Sequence, residues 1–194
     1  MKHEITPADI MPMAEYAKTR RERRTALAAI KRDRRIEVGP HATFYFENYD
    51  TMWHQIHEML HIEKGGAAQI PDELSAYNPL IPKGRELVAT VMFEIENAEL
   101  RQRFLAKLGG VEETVSLEFA GVTVKGVPEA DVDRTSEEGK ASSVQFIHFP
   151  MTDSQAAKFK APATRVTVAI GHPEYGHAAV IPERVRAALA EDLD

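Results

Sequence analysis

The residues with the clearest chemical potential lie in one short stretch, His57-Glu58-Met59-Leu60-His61. This pentad fits the H-E-x-x-H pattern of zinc metalloproteases, in which two histidines hold the metal and the glutamate activates a water molecule. His54 lies one helical turn upstream and is the candidate third ligand, although the usual third ligand lies downstream. The motif predicts a metal site formed by His54, His57 and His61, with zinc or iron as the candidate metal. Glu58 would be its catalytic base.

The spacing has this meaning only on a helix, which we predict between Asp50 as its N-cap and Gly65-Gly66 as its end. At 100° per residue, the histidines and Glu58 fall on one face, opposite an apolar face. The apolar face consists of Met52, Trp53, Ile56, Met59 and Leu60. An amphipathic helix whose polar face meets solvent or a partner has the same pattern, and this simpler interpretation is the favoured one. A metal-dependent enzyme is the alternative.

A second group of polar residues, His172, Glu174 and His177, lies within the segment "GHPEYGH". These residues would complete a metal site only if their turn folded beside the histidine helix. The glycines and the proline of the segment are typical of a polar hairpin turn, which is the favoured interpretation.

Two glutamates and one further histidine are weaker candidates. Glu73 or Glu86 could add a carboxylate ligand from a second helix, but the prolines between residues 71 and 82 disfavour such a helix. His148 alternates with apolar residues in a predicted strand and is expected to be structural.

The composition is that of an ordinary globular protein: 194 residues, 43% hydrophobic and 28% charged. There is no cysteine, so disulfides, thiol nucleophiles and cysteine-ligated iron–sulfur clusters are excluded. Neither a P-loop nor a dinucleotide-binding glycine motif occurs. Without an apolar run long enough to span a bilayer or a secretory leader, we expect a cytoplasmic protein that does not contact membranes.

The charge is distributed unevenly along the chain. Residues 18–35 carry nine Lys and Arg against two acidic residues, a balance of +7, so the rest of the chain sums to −13 within the total of −6. A basic segment on an acidic body indicates contact with an acidic partner, with nucleic acid or with the protein's own surface. Nucleic acid is the weakest of these interpretations, because no aromatic residues are interleaved with the cations.

The chain is predicted to be α+β, with an N-terminal helical arm (1–40) followed by a single domain (41–194). A helix is expected within residues 6–35. The domain contains two pseudo-repeated β-α-β-β units, 87–128 and 141–182, which we expect to form one mostly antiparallel sheet. The acidic loop 129–140 joins the units.

Each unit carries local signals for its elements. Asn97 is the expected cap of the first unit's helix, and Ala120-Gly121 the turn of its hairpin. A capping box of Thr152 and Gln155 opens the second unit's helix. Three residues are predicted to form the buried face of the first unit's helix: Leu100, Phe104 and Leu108.

Four stretches together resemble an uncharacterised bacterial family, the domain-of-unknown-function family three-five-zero-one. They are "VGPHATFYFENYDTMWHQIHEML", "AYNPLIPKGRELVATVMFEI", "KASSVQFIHFP" and "IGHPEYGH". The resemblance extends over nearly the whole chain. The positions that match the family pattern are Phe46-Glu47-Asn48, Asp50-Thr51, Gln55 and Glu58-Met59-Leu60. The histidines do not define the pattern, which weakens the metalloprotease hypothesis.

The resemblance implies no assigned activity and no catalytic residue. Members of the family are often encoded beside a rubrerythrin-like di-iron protein and an iron–sulfur oxidoreductase, which implies a role in oxidative stress. We therefore expect a non-enzymatic accessory protein with one of these proteins as its partner. Self-association stays open.

Overall fold

The computed structural model describes residues 2–129, 135–136 and 139–194. A short 3-10 helix at Pro7–Asp9 precedes α1 (Met13–Arg32), which is followed by β1 (Arg35–Val38). The predicted helical arm is therefore present, but the helix ends at Arg32. The next residues form a strand instead, because Ile36 and Val38 are β-branched and point into the core between exposed charged neighbours.

The histidine helix is α2 (Tyr49–Glu63), and it follows β2 (Ala42–Phe46). Its N-cap is Asn48 rather than the predicted Asp50: the Asn48 side chain accepts a hydrogen bond from the Thr51 amide, at 3.0 Å. At the other end, Lys64 takes the left-handed conformation just before the predicted glycine stop.

A helix that the prolines had argued against follows, α3 (Ile70–Tyr77). Pro71 lies in its first turn, where the missing N–H has no helical partner to lose, and Pro79 comes after its end. The prolines therefore mark the two ends of this helix and do not interrupt it.

The β-α-β-β order occurs twice, as predicted. The first unit consists of β3 (Glu86–Phe93), α4 (Ala98–Leu105), β4 (Val115–Phe119) and β5 (Val122–Lys125). The second consists of β7 (Val144–Pro150), α5 (Asp153–Lys160), β8 (Val166–His172) and β9 (Tyr175–Ile181). A short β6 (Val127–Pro128) lies between the units, and α6 (Glu183–Ala190) closes the chain. Most of the predicted acidic loop 129–140 lies outside the described residues.

The predicted caps, turn and buried residues of the two units are present in the structure, with one exception. Asn97 and Thr152 cap their helices, and Ala120 and Gly121 both have positive φ in the hairpin turn. Leu100 was wrongly predicted to be buried: it is 56% exposed, while Leu105 packs into the core in its place.

The strands form two antiparallel sheets rather than the one that was predicted. The first has the order β1-β2-β3-β7-β6, and the second β5-β4-β8-β9. Equivalent strands of the two units pair with each other, β3 with β7 and β4 with β8, so each unit is divided between both sheets. One core takes residues from both sheets, including Phe44, Leu87, Leu117 and Val168, so the sheets pack face to face.

The outer face of the first sheet is covered by α2 and α3. A second apolar cluster joins Val88 of β3 to Met52, Ile56 and Leu60 of α2 and to Leu74 of α3. Met52, Ile56 and Leu60 thus pack on the sheet, as the periodicity predicted. Trp53, predicted on the same face, instead contacts the arm: its indole N–H donates to the Asp9 backbone oxygen and its ring stacks on His57. Among the helices in the described ranges, none combines the length and the apolar character needed to cross a membrane.

Candidate functional site

The four residues of the predicted site share one face of α2, and most of that face is covered: His54 and His57 are buried, while Glu58 and His61 stay partly exposed. The face lies beneath α1, so α2 is covered on both sides. His57 is completely buried, and His54 is 9% exposed. The basic helix therefore docks on the protein's own body along one of its faces.

His57 uses both of its ring nitrogens in the fold. Its Nδ1 lies 2.6 Å from the backbone oxygen of Trp53, and its Nε2 accepts a hydrogen bond from the Met11 amide at 2.9 Å. An Nε2 that accepts an N–H leaves the proton on Nδ1, so His57 is the neutral tautomer that donates to Trp53. Burial lowers its pKa and keeps it neutral.

Glu58 is held by two residues of α1. Arg20 donates to both carboxylate oxygens at 2.8 Å, and the Tyr16 hydroxyl donates at 2.7 Å. The Arg20 hydrogen bonds lower the pKa of Glu58 to about 2. A general base works best with a pKa near the operating pH, and this carboxylate is far below it.

Tyr16 lies against all three imidazoles of the face. Its ring centroid is 5.1 Å from that of His57, 5.9 Å from that of His61 and 6.3 Å from that of His54. The Tyr16 hydroxyl also lies 3.3 Å from the Nδ1 of His54. Burial is the main cause of a raised Tyr16 pKa, so the phenol stays neutral and serves as a donor to Glu58.

In the described ranges, no group of three or more His, Asp and Glu side chains is placed to hold a metal ion. For His57 to bind zinc, it would have to give up its hydrogen bond with Met11 or with Trp53, since a zinc ligand needs a free nitrogen about 2.0–2.1 Å from the metal. Metal binding by His54, His57 and His61, and catalysis by Glu58, remain hypotheses that the hydrogen bonds of the face do not favour.

The other candidate ligands make contacts away from α2. His172 contacts the Gly109 oxygen and accepts a hydrogen bond from the Glu174 amide, and the His177 ring packs on Tyr175. The GHPEYGH segment is therefore the turn of the β8–β9 hairpin, which was the favoured interpretation.

The two candidate glutamates are engaged elsewhere. Glu73 accepts from Gln69, and Glu86 lies 2.9 Å from the Nδ1 of His148. His148 also contacts Glu129 through its Nε2, at 2.8 Å. The pKa of His148 is raised, mainly by its hydrogen bond with Glu86. His148 is therefore the centre of a structural ion-pair group on the first sheet.

The sequence did not predict which side of α1 faces α2 and which side is exposed. Only Tyr16 and Leu27 are buried among its twenty residues. Arg20 and Arg23 point toward α2, where Arg23 lies 4.8 Å from the ring centroid of Trp53. The opposite residues are exposed and, with Arg20, line a shallow groove of about 570 Å³: Ala17, Arg21, Arg24, Thr25 and Ala28. We call these five residues the basic face.

A helical projection anchored on Tyr16 and Leu27 would have separated the inward from the outward arginines. The two anchors lie eleven positions apart, close to three helical turns, and so face the same direction. The sequence did not show that these two residues set the orientation of the helix.

Comparisons with known proteins agree with this architecture but bring no activity. The family model described as "Protein of unknown function (DUF3501)" matches residues 4–193. A crystal structure of a novel protein of unknown function from Burkholderia pseudomallei K96243 is similar, with a TM-score of 0.91 and 38% identity. The match covers 98% of this chain and 99% of that one. No curated protein matches the chain.

Proposed function

Since this chain belongs to the DUF3501 family of proteins of unknown function, we propose its function from its geometry: it is a non-enzymatic accessory protein. It binds an acidic surface of a partner protein through the basic face of α1. The HEMLH segment of α2 serves this function as the anchor that holds α1 in place.

The observation that carries the proposal is a helix of twenty residues with two buried side chains. A helix this polar buries few side chains against its own protein, which leaves its other sides available to a partner. Small residues at Ala17 and Ala28 leave room between the arginines, so a partner surface can approach the helix closely.

Charge supports an acidic partner. The basic segment 18–35 stands at +7 on a body that sums to −13. An acidic protein is repelled by most of this surface and attracted by α1, which orients the encounter and favours the basic face as the point of contact. Arg21 and Arg24 are exposed and form no ion pair within the described part of the chain, so they can neutralise carboxylates of a partner.

The same contacts argue against an enzyme centred on this helix. The carboxylate that would activate water accepts three hydrogen bonds from Arg20 and Tyr16. Releasing it would require α1 to leave α2. Anchoring of the arm accounts for the three hydrogen bonds of Glu58 and for the bond from the Met11 amide to His57 without that step.

The resemblance to the family suggests which partners to test first. They are the rubrerythrin-like di-iron protein and the iron–sulfur oxidoreductase whose genes the resemblance places beside those of the family. A complex with either would give this chain a role in oxidative stress. A chain without cysteine can hold no cysteine-ligated cluster of its own, so redox chemistry of that kind would take place on the partner.

The test is the affinity of the untagged full chain for each of these two proteins, measured by calorimetry at about 50 and about 200 mM salt. We expect binding that weakens with salt, and that weakens at least about tenfold further in an Arg21→Glu/Arg24→Glu variant. The matched control is Lys107→Glu/Lys125→Glu, which makes the same charge change at exposed positions of the first repeat unit.

Three results would contradict the proposal. One is equal affinity in the charge-reversed and control variants. Another is the absence of binding to both proteins at micromolar concentrations. The third is tighter, salt-dependent binding of duplex DNA through the same arginines, which would assign the basic face to nucleic acid.

A further inference from the structure

The edge strand β9 differs from the other sheet edges in the described ranges. The edges β1 and β5 have four residues each and carry charges, Arg35 and Glu37 in β1 and Lys125 in β5. The edge β6 has two residues, one of them Pro128. By contrast, β9 has seven residues, "YGHAAVI", with no Asp, Glu, Lys, Arg or Pro among them.

Natural sheets usually protect their edges with charges, prolines or short strands, because an open edge offers unpaired N–H and C=O groups to another chain. None of these devices is present in β9, which within the described residues pairs with β8 alone. Its middle residues are mostly exposed. Val180, a large apolar residue, is 47% exposed. At the N-terminal end of β9, Tyr175 and His177 pack against the β1–β2 turn at Val38 and Gly39. The C-terminal half is therefore the part of this edge that is open to a further strand.

A basic cleft of about 820 Å³ lies beside the C-terminal half of β9. Its apolar part is formed by Ile36, Ala179 and Val180, where the edge strands of the two sheets come together. Four cations line it: Lys31, Arg32, Arg35 and Arg184. Two carboxylates pair with them, Glu37 with Arg35, and Asp33 with Arg32 and Arg184, which leaves an excess of two positive charges.

We propose that the β9 edge and this cleft bind an extended acidic segment of a partner protein, which adds a strand to the second sheet. Backbone hydrogen bonds to β9 would supply affinity, and alternate side chains of the added strand would enter the cleft. Carboxylates at those positions would pair with Lys31 and share Arg35 and Arg184 with Glu37 and Asp33, and an apolar neighbour would cover Val180. This inference rests on the proposed function, because the acidic segment belongs to the same partner.

Charge favours this occupant over a second copy of the chain. Pairing of β9 with itself would satisfy the backbone, but β9 supplies no carboxylate between Tyr175 and Ile181 for the four cations of the cleft. Because Ala28 lines both the cleft and the groove of the basic face, one acidic partner can contact both surfaces.

The experiment uses a fluorescein-labelled peptide as long as β9, in which Glu alternates with Val and Thr, and measures its binding to the full chain by anisotropy. Two control peptides share its length. One has Lys in place of Glu, and the other carries N-methyl groups on alternate amides, which block strand pairing without changing charge. We expect binding of the acidic peptide and a loss of at least about tenfold with either control.

Variants of the chain locate the site. Val180→Glu places a like charge at the centre of the edge, and Arg184→Glu reverses an exposed cation of the cleft; each should weaken the peptide at least about tenfold. Thr123→Glu, an exposed residue on the opposite edge strand β5, is the matched control and should bind as the unmodified chain does. Thermal melts of the three variants check that they remain folded, and Arg184→Glu keeps the test informative should Val180→Glu unfold.

The inference is overturned if the acidic peptide does not bind, if N-methylation has no effect, or if both cleft variants bind like Thr123→Glu. Concentration-dependent dimerisation that Val180→Glu abolishes would also overturn it, by assigning the edge to a second copy. If the peptide fails while Arg21→Glu/Arg24→Glu still weakens partner binding, strand docking alone is wrong and the proposed function stands.

Discussion

Glu58 accepts three hydrogen bonds from α1, and this sets what the H-E-x-x-H spacing means in this chain. The spacing brings two histidines and a carboxylate to one helix face whatever covers that face. In a zinc hydrolase the covering space is a cleft with a metal and water. Here it is filled by Tyr16 and Arg20, so the same polar groups hold a helix.

The burial of His57 predicts a dependence of stability on pH. The pKa of His57 in the folded chain is lowered from the ordinary 6.5. Just below pH 6.5 this residue is therefore protonated in the unfolded chain but still neutral in the folded one. The free energy of unfolding should therefore fall as the pH drops below about 6.5. His54, whose pKa is also lowered by burial, acts in the same direction.

Urea unfolding between about pH 8 and about pH 5 measures this effect, and we expect a flatter profile in a His57→Gln variant than in the unmodified chain. Glu58 contributes in a lower window, since its pKa of about 2 against an ordinary 4.5 adds stability above pH 4.5 that is lost toward pH 2. Equal profiles in the two chains above pH 5 would show that His57 is not the neutral, buried group described.

Metal content is a second test at this scale. Because both His57 nitrogens are engaged, we expect untagged protein dialysed against a mild chelator to retain well below one zinc or iron per chain. Elemental analysis of the unmodified chain and of His57→Ala measures it. About one ion per chain, lost in His57→Ala, would revive the metal-enzyme hypothesis.

At the scale of elements, caps and helix boundaries decide where α2 points. Asn48 caps this helix and is buried, whereas Asp50, the cap that the sequence suggested, is exposed in the first turn. An Asn48→Ala variant should lose about 1 kcal/mol of unfolding free energy or more, and Asp50→Ala markedly less. Chemical denaturation of both variants measures the difference, and the reverse order would place the cap at Asp50.

Local signals predicted many of the elements well. The caps Asn97 and Thr152 and the turn at Ala120-Gly121 act within a few residues, so the sequence alone determines them. The strand β1 was missed because its two apolar residues alternate with charges at the end of a basic run. Leu100 was misplaced because α4 is short and packs through Leu105 at its end.

The candidate site was predicted in part. The periodicity of α2 correctly grouped His54, His57, Glu58 and His61 on one face. What covers that face depends on residues more than thirty positions away, Tyr16 and Arg20, and no local pattern reports such a contact. The polar side of a helix can meet water, a ligand or another helix with the same sequence spacing.

At the scale of the whole molecule, the division of each repeat between two sheets was beyond the sequence pattern. Alternation tells which side of a strand is buried, but not which strand it pairs with. The pairing of β3 with β7 and of β4 with β8 places equivalent strands side by side and forms one core between the sheets.

A buried ion pair between Arg34 and Asp192 joins the segment between α1 and β1 to the C-terminal end of the chain. Arg34 also donates to the backbone oxygens of Phe46 and Glu47, so it ties the last turn of the chain to β2. Removing one partner of a buried pair leaves the other charge uncompensated, and Asp192→Ala should cost about 3–5 kcal/mol of unfolding free energy. Urea denaturation against the exposed control Glu191→Ala measures it, and equal stabilities would deny the pair its structural role.

The most direct test of the account is hydrogen–deuterium exchange of α1 in the unmodified chain and in Glu58→Gln, with the exposed Glu22→Gln as the matched control. If Glu58 anchors the basic helix, its replacement removes charge-assisted hydrogen bonds, and the α1 amides should exchange about tenfold faster or more. The amides of β3 and β7 should be unchanged, as should α1 in the control. Unaltered exchange of α1 in Glu58→Gln would contradict the claim that this face of α2 exists to hold the arm.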